Sequence, residues 1–387
     1  MATSVDSTPM RATAVLDAAR DLAPKIAARA AQIEAARRVP LDLIEDLTAA
    51  GCFRMLLPRS HGGGGVDLMG AMRVCEELGR ADASVGWTVM IGTSGWIDLV
   101  GLPRASFDAL YADGPDVIVA GAFNPTGTAE AVPGGYRVSG RWAFASGCQH
   151  CRWLYGNCIE RSGGASQLRT VVFSPAQIQI EDTWSVSGLC GTGSHHFVAD
   201  NVFVKAEHTC LTLSDGPCLD EPLLRIPVPP VLAFQIASIA IGIAQGALDD
   251  ILALSAAKVP LLSRSPLTEN PLFQHQLGAL DAKLRAARAL LYADAASAWA
   301  IAVADAPFTP AQRARMRSAA TWVATTGASV VDGAYGAGGG TSLYSDNPLQ
   351  RRFRDIHALT QHFLVKPDTF TTAGAVLAGA EVDLTVF

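Results

Sequence analysis

The chain is poor in charge. Of its 387 residues only 17% are Asp, Glu, Lys or Arg, while 49% are apolar. Thirty basic residues stand against 36 acidic ones, a net charge of −6, and no run of five Lys/Arg occurs. That leaves no electrostatic footprint for nucleic acid or an anionic membrane surface. So much apolar material with so little charge also excludes a globally disordered chain. The opening MATSVDSTPMRATAV lacks the charged start and apolar block of a signal peptide, so a cytoplasmic location is expected. Mean hydropathy is +0.24, and the most apolar window is Val231–Leu248. It contains Gln235, Ser238 and Gln245 and runs into Asp249-Asp250, which predicts a buried core helix rather than a membrane span.

Several common site motifs are also missing. There is no Gly-Lys-Ser/Thr P-loop and no G-x-S-x-G elbow. Gly62 and Gly64 begin a G-x-G-x-x-G, but position 67 is Asp, and Gly336-Ala-Gly338-Gly-Gly340-Thr341 misses its third glycine as well. Neither follows a clear strand, so a Rossmann site is not expected. Each run reads either as a tight turn or as bare backbone approaching a phosphate. Eight cysteines include one C-x-x-C, Cys148-Gln-His-Cys151, with no second pair and no H-x-x-x-H to close a zinc site. Free thiols and no bound metal are expected.

What is present has α, β, α order. Val15, Ala19, Leu22, Ile26, Ala30 and Ile33 recur at helical steps, Pro40 opens a second helix, and Leu68–Leu78 and Val85–Val100 read as two more. Beyond residue 116 the period falls to two. Tyr136, Val138, Trp142 and Phe144 share one parity after the turn Pro133-Gly134-Gly135, and β-branched runs follow at 170–173 and 197–204. After Pro227–Pro230 the helical period returns over Val231–Leu254, Pro271–Val303, Pro310–Gly333 and Asp355–Leu377. The expectation is an α+β fold: an N-terminal helical domain (1–116), a central antiparallel β domain (117–226) and a C-terminal four-helix bundle (227–387).

Six segments, in order, carry a family resemblance. They are Leu47-Thr-Ala-Ala-Gly51 with Leu57-Pro and Gly62-Gly63-Gly64; Glu76-Glu77-Leu78-Gly-Arg80-Ala-Asp82-Ala-Ser84; Gly140-Arg-Trp142-Ala-Phe144-Ala-Ser146-Gly147; Gly188-Leu-Cys190-Gly191-Thr192-Gly193-Ser194; Gly242-Ile-Ala-Gln245-Gly-Ala-Leu-Asp249; and Arg354-Asp355. Together they resemble the acyl-CoA dehydrogenase superfamily along essentially the whole chain. The resemblance implies a flavin held between the β domain and the C-terminal bundle. It also implies a homotetramer in which a neighbouring copy completes the flavin site.

A dehydrogenase of this family needs a carboxylate base. The usual position, nine residues after the Arg of Arg354-Asp355, is Phe363, and the alternative position falls on Leu232-Ala233. Both are apolar. The stretch Ile356-His357-Ala-Leu-Thr360-Gln361-His362-Phe363 instead resembles the flavin-dependent monooxygenase branch, the oxygenase halves of two-component systems. These take reduced FMN or FAD from a separate NAD(P)H:flavin reductase, use O₂ to form a flavin C4a-hydroperoxide, and oxygenate small molecules such as phenols, indoles, thiophenes or amino sugars. A small aromatic or heteroaromatic substrate is therefore expected. An acyl-CoA dehydrogenase or oxidase with FAD is the alternative.

On this resemblance His362 and Ser146 are the candidate catalytic residues: the imidazole donates to a peroxide oxygen or takes a substrate proton, and the hydroxyl lies near flavin N5. Ser146, Phe144, Thr192, Ser194 and Arg264 are candidate cofactor contacts, the two hydroxyls of the turn toward the flavin's phosphates and Arg264 toward a neighbour's cofactor. Trp87 and Phe363 are candidate pocket walls, and His357 a structural residue. Either His195 or His196 faces the pocket, but not both, because adjacent strand residues point to opposite faces. Two departures stand out. Cys190 replaces a usual Arg, and Thr360 stands where some branch members carry an Arg, which argues against a strongly anionic substrate at that spot.

Overall fold

The computed structural model describes residues 12–162, 165–212, 214–384 and 387. Most of the segment read above for a signal peptide lies outside them. Six helices open the described chain: α1 (Ala12–Ala28), α2 (Ala30–Ala36), α3 (Leu41–Ala49), α4 (Leu68–Ala81), α5 (Ala83–Ser94) and α6 (Arg104–Leu110). Seven strands follow: β1 (Val119–Val132), β2 (Gly135–Ala145), β3 (Trp153–Ser162), β4 (Ala165–Phe173), β5 (Gln179–Glu181), β6 (His195–Lys205) and β7 (Thr209–Leu211). A short α7 (Pro222–Arg225) leads to α8 (Val228–Ala257), α9 (Pro271–Val303), α10 (Pro310–Gly338), α11 (Pro348–Leu359) and α12 (Thr369–Leu377).

The expected antiparallel sheet is in fact mixed. Its order is β5-β6-β2-β1-β3-β4-β7. β1 and β2 form an antiparallel hairpin, but β3 returns on the other side of β1 and runs parallel to it, Val119 opposite Trp153. The sequence of β1, with Gly121, Pro125 and Gly127, carries little β-propensity. Its glycines are required by packing: a Cβ at Gly121 would come within 2.3 Å of the Tyr155 ring, and one at Gly127 within 2.2 Å of Trp142. Trp142 is the centre of the sheet's own core. It stacks on Phe197 at 4.8 Å, touches Phe173 at 5.7 Å, and donates from Nε1 to the Asn157 carbonyl at 2.8 Å.

Helix α8 is the axis of the helical part. It is long and apolar enough to cross a bilayer, but 89% of its most apolar window is buried inside this molecule. It packs between α4 and α10, and polar bonds at the α4 crossing fix the register. Glu76 accepts from Arg288 Nε and Tyr292 OH, both at 2.9 Å, Arg288 reaches Gln245 at 3.2 Å, and Arg80 pairs with Asp249 at 2.7 Å. Two of the motifs that carried the resemblance are therefore helix-crossing motifs. At Gly242 a Cβ would lie 2.1 Å from the Glu76 carbonyl oxygen. Gly242→Ala is expected to destabilise the protein by about 1–3 kcal/mol or more, since backbone must separate to admit the methyl. Thermal denaturation measures this directly.

The predicted helix over Asp355–Leu377 does not form as one piece. α11 starts earlier, at Pro348 behind the Asn347 cap, and stops at Leu359. The Thr360 hydroxyl bonds back to the His357 carbonyl at 3.0 Å, and Pro367 bars a simple continuation. The residues between α11 and α12 are a turn, and that turn carries His362.

Candidate active site

Three segments meet at Ser146. The first is α5. Asp82 caps it by accepting from Ser84 N at 2.9 Å and Val85 N at 3.1 Å, which fixes where Trp87 sits one turn in. The second is the turn at the end of β2, and the third is the 188–194 turn before β6. The last two are tied by Gly147 N donating to the Thr192 carbonyl at 2.9 Å. Gly191 N donates to the Ser84 hydroxyl at 3.1 Å, which links the third segment to the first.

The buried hydroxyls here form a directed chain. Thr192 Oγ1 donates to the Leu189 carbonyl at 2.8 Å. A hydroxyl has one proton, so at the 2.7 Å Thr192–Ser194 contact Ser194 must donate. Ser194's proton is then used, so at the 2.7 Å Ser146–Ser194 contact Ser146 donates. Trp87 Nε1 closes the chain by donating to Ser146 Oγ at 3.1 Å. The direction reverses if Thr192 turns its proton from the carbonyl to Ser194. Ser146 then has a proton to offer outward. Thr192 and Ser194 are 2% and 3% exposed. Their hydroxyls serve Ser146 rather than lying free for a phosphate.

His362 stands across Trp87, rings edge-on at 5.4 Å, and packs against Phe363 at 4.9 Å. Phe363 stacks on Phe123 at 6.3 Å, an aromatic wall in which Phe123 was not foreseen. Leu364 N donates to His362 Nδ1 at 3.3 Å, which leaves the proton of the neutral ring on Nε2. Burial, with the Arg317 charge next, pulls the imidazole down to about 4, so it is neutral at physiological pH. His357 lies elsewhere, bonded to Asp332 at 2.8 Å and packed on Phe353.

Phe144 departs from its strand's parity. The β2–β6 register slips between Trp142 and Ala145, Phe144 adopts φ 66°, and its ring is 68% exposed. A bulky residue at positive φ is strained, and such strain gathers at functional sites. The ring forms a ledge edge-on to Trp184 at 6.1 Å and to His196 at 6.5 Å. His195 points inward, its Nδ1 accepting from Thr183 N and Trp184 N at 3.2 Å each. The ledge, the strained turn and the reversible hydroxyl chain suit the flat, partly apolar ring system of a flavin with a polar edge at Ser146.

The 188–194 turn is clamped from behind. Asp355 accepts from Leu189 N at 2.7 Å, and Arg354 bonds the Ser187 carbonyl and Glu34. Cys190 is buried with its thiol on the Val186 carbonyl. Burial, and then the neighbouring Asp82, push Asp355 up to about 7. A carboxyl raised on folding stabilises below its unfolded pKa and loses that contribution as pH rises to 7. Asp355→Asn keeps the Leu189 contact and is expected to flatten the fall of stability between pH 4 and 7 by an amount on the order of a few kcal/mol. Denaturant midpoints across that range test it.

Arg264 does not join this group within one chain. It lies on the exposed loop between α8 and α9. The C-x-x-C is packing: Cys148 bonds the Gly193 carbonyl, Cys151 the Cys148 carbonyl, and burial pushes both thiols up, Cys148 to about 11. Among the described residues no cluster of three potential metal ligands occurs.

Family models for the acyl-CoA dehydrogenase N-terminal and C-terminal domains match residues 11–101 and 234–367. The indole-3-acetate monooxygenase of Pseudomonas putida is 31% identical over 369 residues, 95% of this chain and 93% of that one. The chain belongs to the acyl-CoA dehydrogenase superfamily. Its relatives put it in the flavin-dependent monooxygenase branch. The oxygenase component of the FADH(2)-dependent resorcinol hydroxylase of a Rhizobium species is 31% identical, covering 91% of each chain. The crystal structure of 3-HSA hydroxylase from Rhodococcus sp. RHA1 superposes with a TM-score of 0.91 at 25% identity, over 97% of this chain and 99% of that one.

Proposed function

We propose that this protein is the oxygenase component of a two-component monooxygenase. It takes reduced FMN or FAD from a separate reductase and inserts one atom of O₂ into a small aromatic or heteroaromatic substrate. The other oxygen atom leaves as water with the two electrons and two protons of the reduced flavin. The observation that carries this reading is the meeting of Ser146, Trp87 and a neutral His362 at an aromatic wall, while both positions of a dehydrogenase base are apolar. Phe363 is stacked on Phe123, and Leu232-Ala233 lie in α8. The nature of the relatives agrees: one is named for indole-3-acetate and another for resorcinol.

When bound, reduced flavin supplies the electrons that activate O₂. The chain's own residues hold and protect that chemistry. Reversal of the hydroxyl chain lets Ser146 donate toward the flavin edge. His362 Nε2–H would donate to the reacting oxygen, beside the apolar surface of Trp87, Phe123 and Phe363. Tetramer formation is part of the reading. Leu261 and Leu262 are 93% and 97% exposed and Leu272 is 74% exposed, on the same loop and helix start as Arg264. Apolar side chains so bare suit an interface that would also bring Arg264 to a neighbour's cofactor. Eight free, mostly buried thiols support a cytoplasmic location.

The test is a competition between the two chemistries of the family. Equilibrium titration under anaerobic conditions is expected to give tighter binding of reduced than of oxidised flavin, and a panel of acyl-CoA thioesters is expected to leave FAD oxidised. Stoichiometric bleaching of FAD by any acyl-CoA would make the protein a dehydrogenase.

A further inference from the structure

Strand β1 swells beside the aromatic wall. Ala122 pairs with Gly156 and Gly127 with Cys158, so residues 123–126 stand opposite Asn157 alone. Bulges next to reacting groups re-aim side chains. This one carries Phe123, whose ring stacks on Phe363 at 6.3 Å with only 18° between the planes. Phe363 packs on His362 at 4.9 Å, and His362 on Trp87 at 5.4 Å. The bulge therefore reaches the candidate donor through one intervening ring.

The bulge is pinned, not loose. Asn157 is 2% exposed. Its Nδ2 donates to the Phe123 carbonyl at 2.8 Å, and its Oδ1 accepts from Thr170 Oγ1 at 2.9 Å. Its own main-chain carbonyl accepts from Trp142 Nε1 at 2.8 Å. The side-chain amide so bridges the gap that the bulge opens in the ladder, with both of its ends engaged. Beneath lies the Trp142 ring, which a Cβ at Gly156 would approach to 2.7 Å. At the far end of the bulge Thr126 Oγ1 donates to the Arg141 carbonyl at 2.8 Å. A carbonyl fixed by a buried amide also fixes the peptide that carries the Phe123 ring. A wall set in place before a ligand arrives costs no ordering on binding.

We propose that Asn157 is a positioning residue that sets the shape of the substrate. By pinning the Phe123 carbonyl it holds Phe123 and Phe363 as one flat, unyielding aromatic face. That face accepts planar ring systems beside His362 and rejects branched ones of the same size. The proposal rests on the monooxygenase reading for the reaction and narrows its substrates to planar arenes. Asn157 acts through Phe123 and touches no substrate.

The probes are 2-naphthol and 4-tert-butylphenol, two neutral phenols of equal carbon count, one flat and one branched. Their binding is measured by anaerobic equilibrium dialysis against protein saturated with reduced flavin. Wild type is expected to prefer the flat phenol by about 10-fold or more, the scale of a well-made aromatic stack. Asn157→Ser, too short to reach the Phe123 carbonyl, should bring the two within about 3-fold and leave reduced-flavin affinity unchanged. Phe123→Ala should do the same, and adding Asn157→Ser to it should change nothing further, because neighbours that act as one unit are not additive. Thr126→Val cuts the other tether at an exposed site and should shift the preference the same way by less, which keeps the test open if Asn157→Ser fails to fold. Three outcomes overturn the proposal. One is a wild type indifferent to shape. Another is a preference that survives both tether variants. The third is an Asn157→Ser effect that is equal with and without the Phe123 ring, or that falls on flavin affinity, which would make Asn157 only a strut of the sheet. Shape-selective binding of phenols that are never oxygenated would leave this proposal standing and sink the monooxygenase reading. Oxygenation of flat and branched phenols alike would do the opposite.

Discussion

Replacing His362 with Ala is expected to cut kcat/KM for oxygenation by about 100- to 10,000-fold, the range for loss of a positioned proton donor. Reduced-flavin binding should change far less, because the imidazole faces the Trp87–Phe363 wall rather than the Phe144 ledge. The pH dependence gives a sharper signature. The ring is neutral down to about 4, with its proton on Nε2. Wild-type activity should therefore show no ionisation near 6.5 from this residue and should fail only in acid, when Nδ1 is forced to take a proton and breaks with Leu364 N. The stability linkage has the same sign. Between pH 4 and 6.5 the folded state binds fewer protons at His362 than the unfolded chain does, so stability is lost on acidification. His362→Asn should lack that part of the loss. A pH–rate profile with a step near 6.5 that disappears in the variant would show instead that His362 titrates as an ordinary exposed histidine.

Ser146→Ala is expected to act on coupling rather than on binding. Ser146 is the link at which the hydroxyl chain can turn a proton outward. Removing one preorganised donor of this kind costs about 100-fold in the step it assists. Product formed per O₂ consumed should collapse while hydrogen peroxide rises to account for the difference. Ser194→Ala should give a milder version, since Ser146 loses its acceptor but keeps its own proton. Equal coupling in wild type and both variants would remove the hydroxyl chain from the mechanism.

Much of this was legible in the residues. The helical stripes, the period-two runs and the apolar window at Val231–Leu248 give the α, β, α order without any relative. The segments of the resemblance brought Ser146, Thr192, Ser194, Trp87, Phe363 and His362 forward, and the structure gathers these six around one site. The rest was hidden for physical reasons. β1 was unreadable because its glycines answer to the rings of Tyr155 and Trp142, which lie far along the chain, and the parallel β1–β3 pairing went unseen with it. Phe144 obeys strand parity in the sequence and breaks it in the structure, because a bulge costs no change in residue type. His362 sits in a pattern that continues a helix, yet Thr360 and Pro367 end the helix around it. Arg317 did leave a signal. It is a charged residue on an apolar helical stripe with Ala314, Thr321, Ala324 and Ala328. Its burial shows only in the structure.

The most direct test of the whole account follows the fate of oxygen. Protein and reduced flavin are mixed anaerobically with each of a panel of small aromatic compounds, indole-3-acetate and resorcinol among them, ¹⁸O₂-saturated buffer is added, and the products are read by mass spectrometry. The account predicts a product carrying one ¹⁸O atom, formed in wild type and largely absent with His362→Ala. Oxidation of the flavin at its free rate, with only labelled hydrogen peroxide and no labelled organic product from any member of the panel, would contradict it.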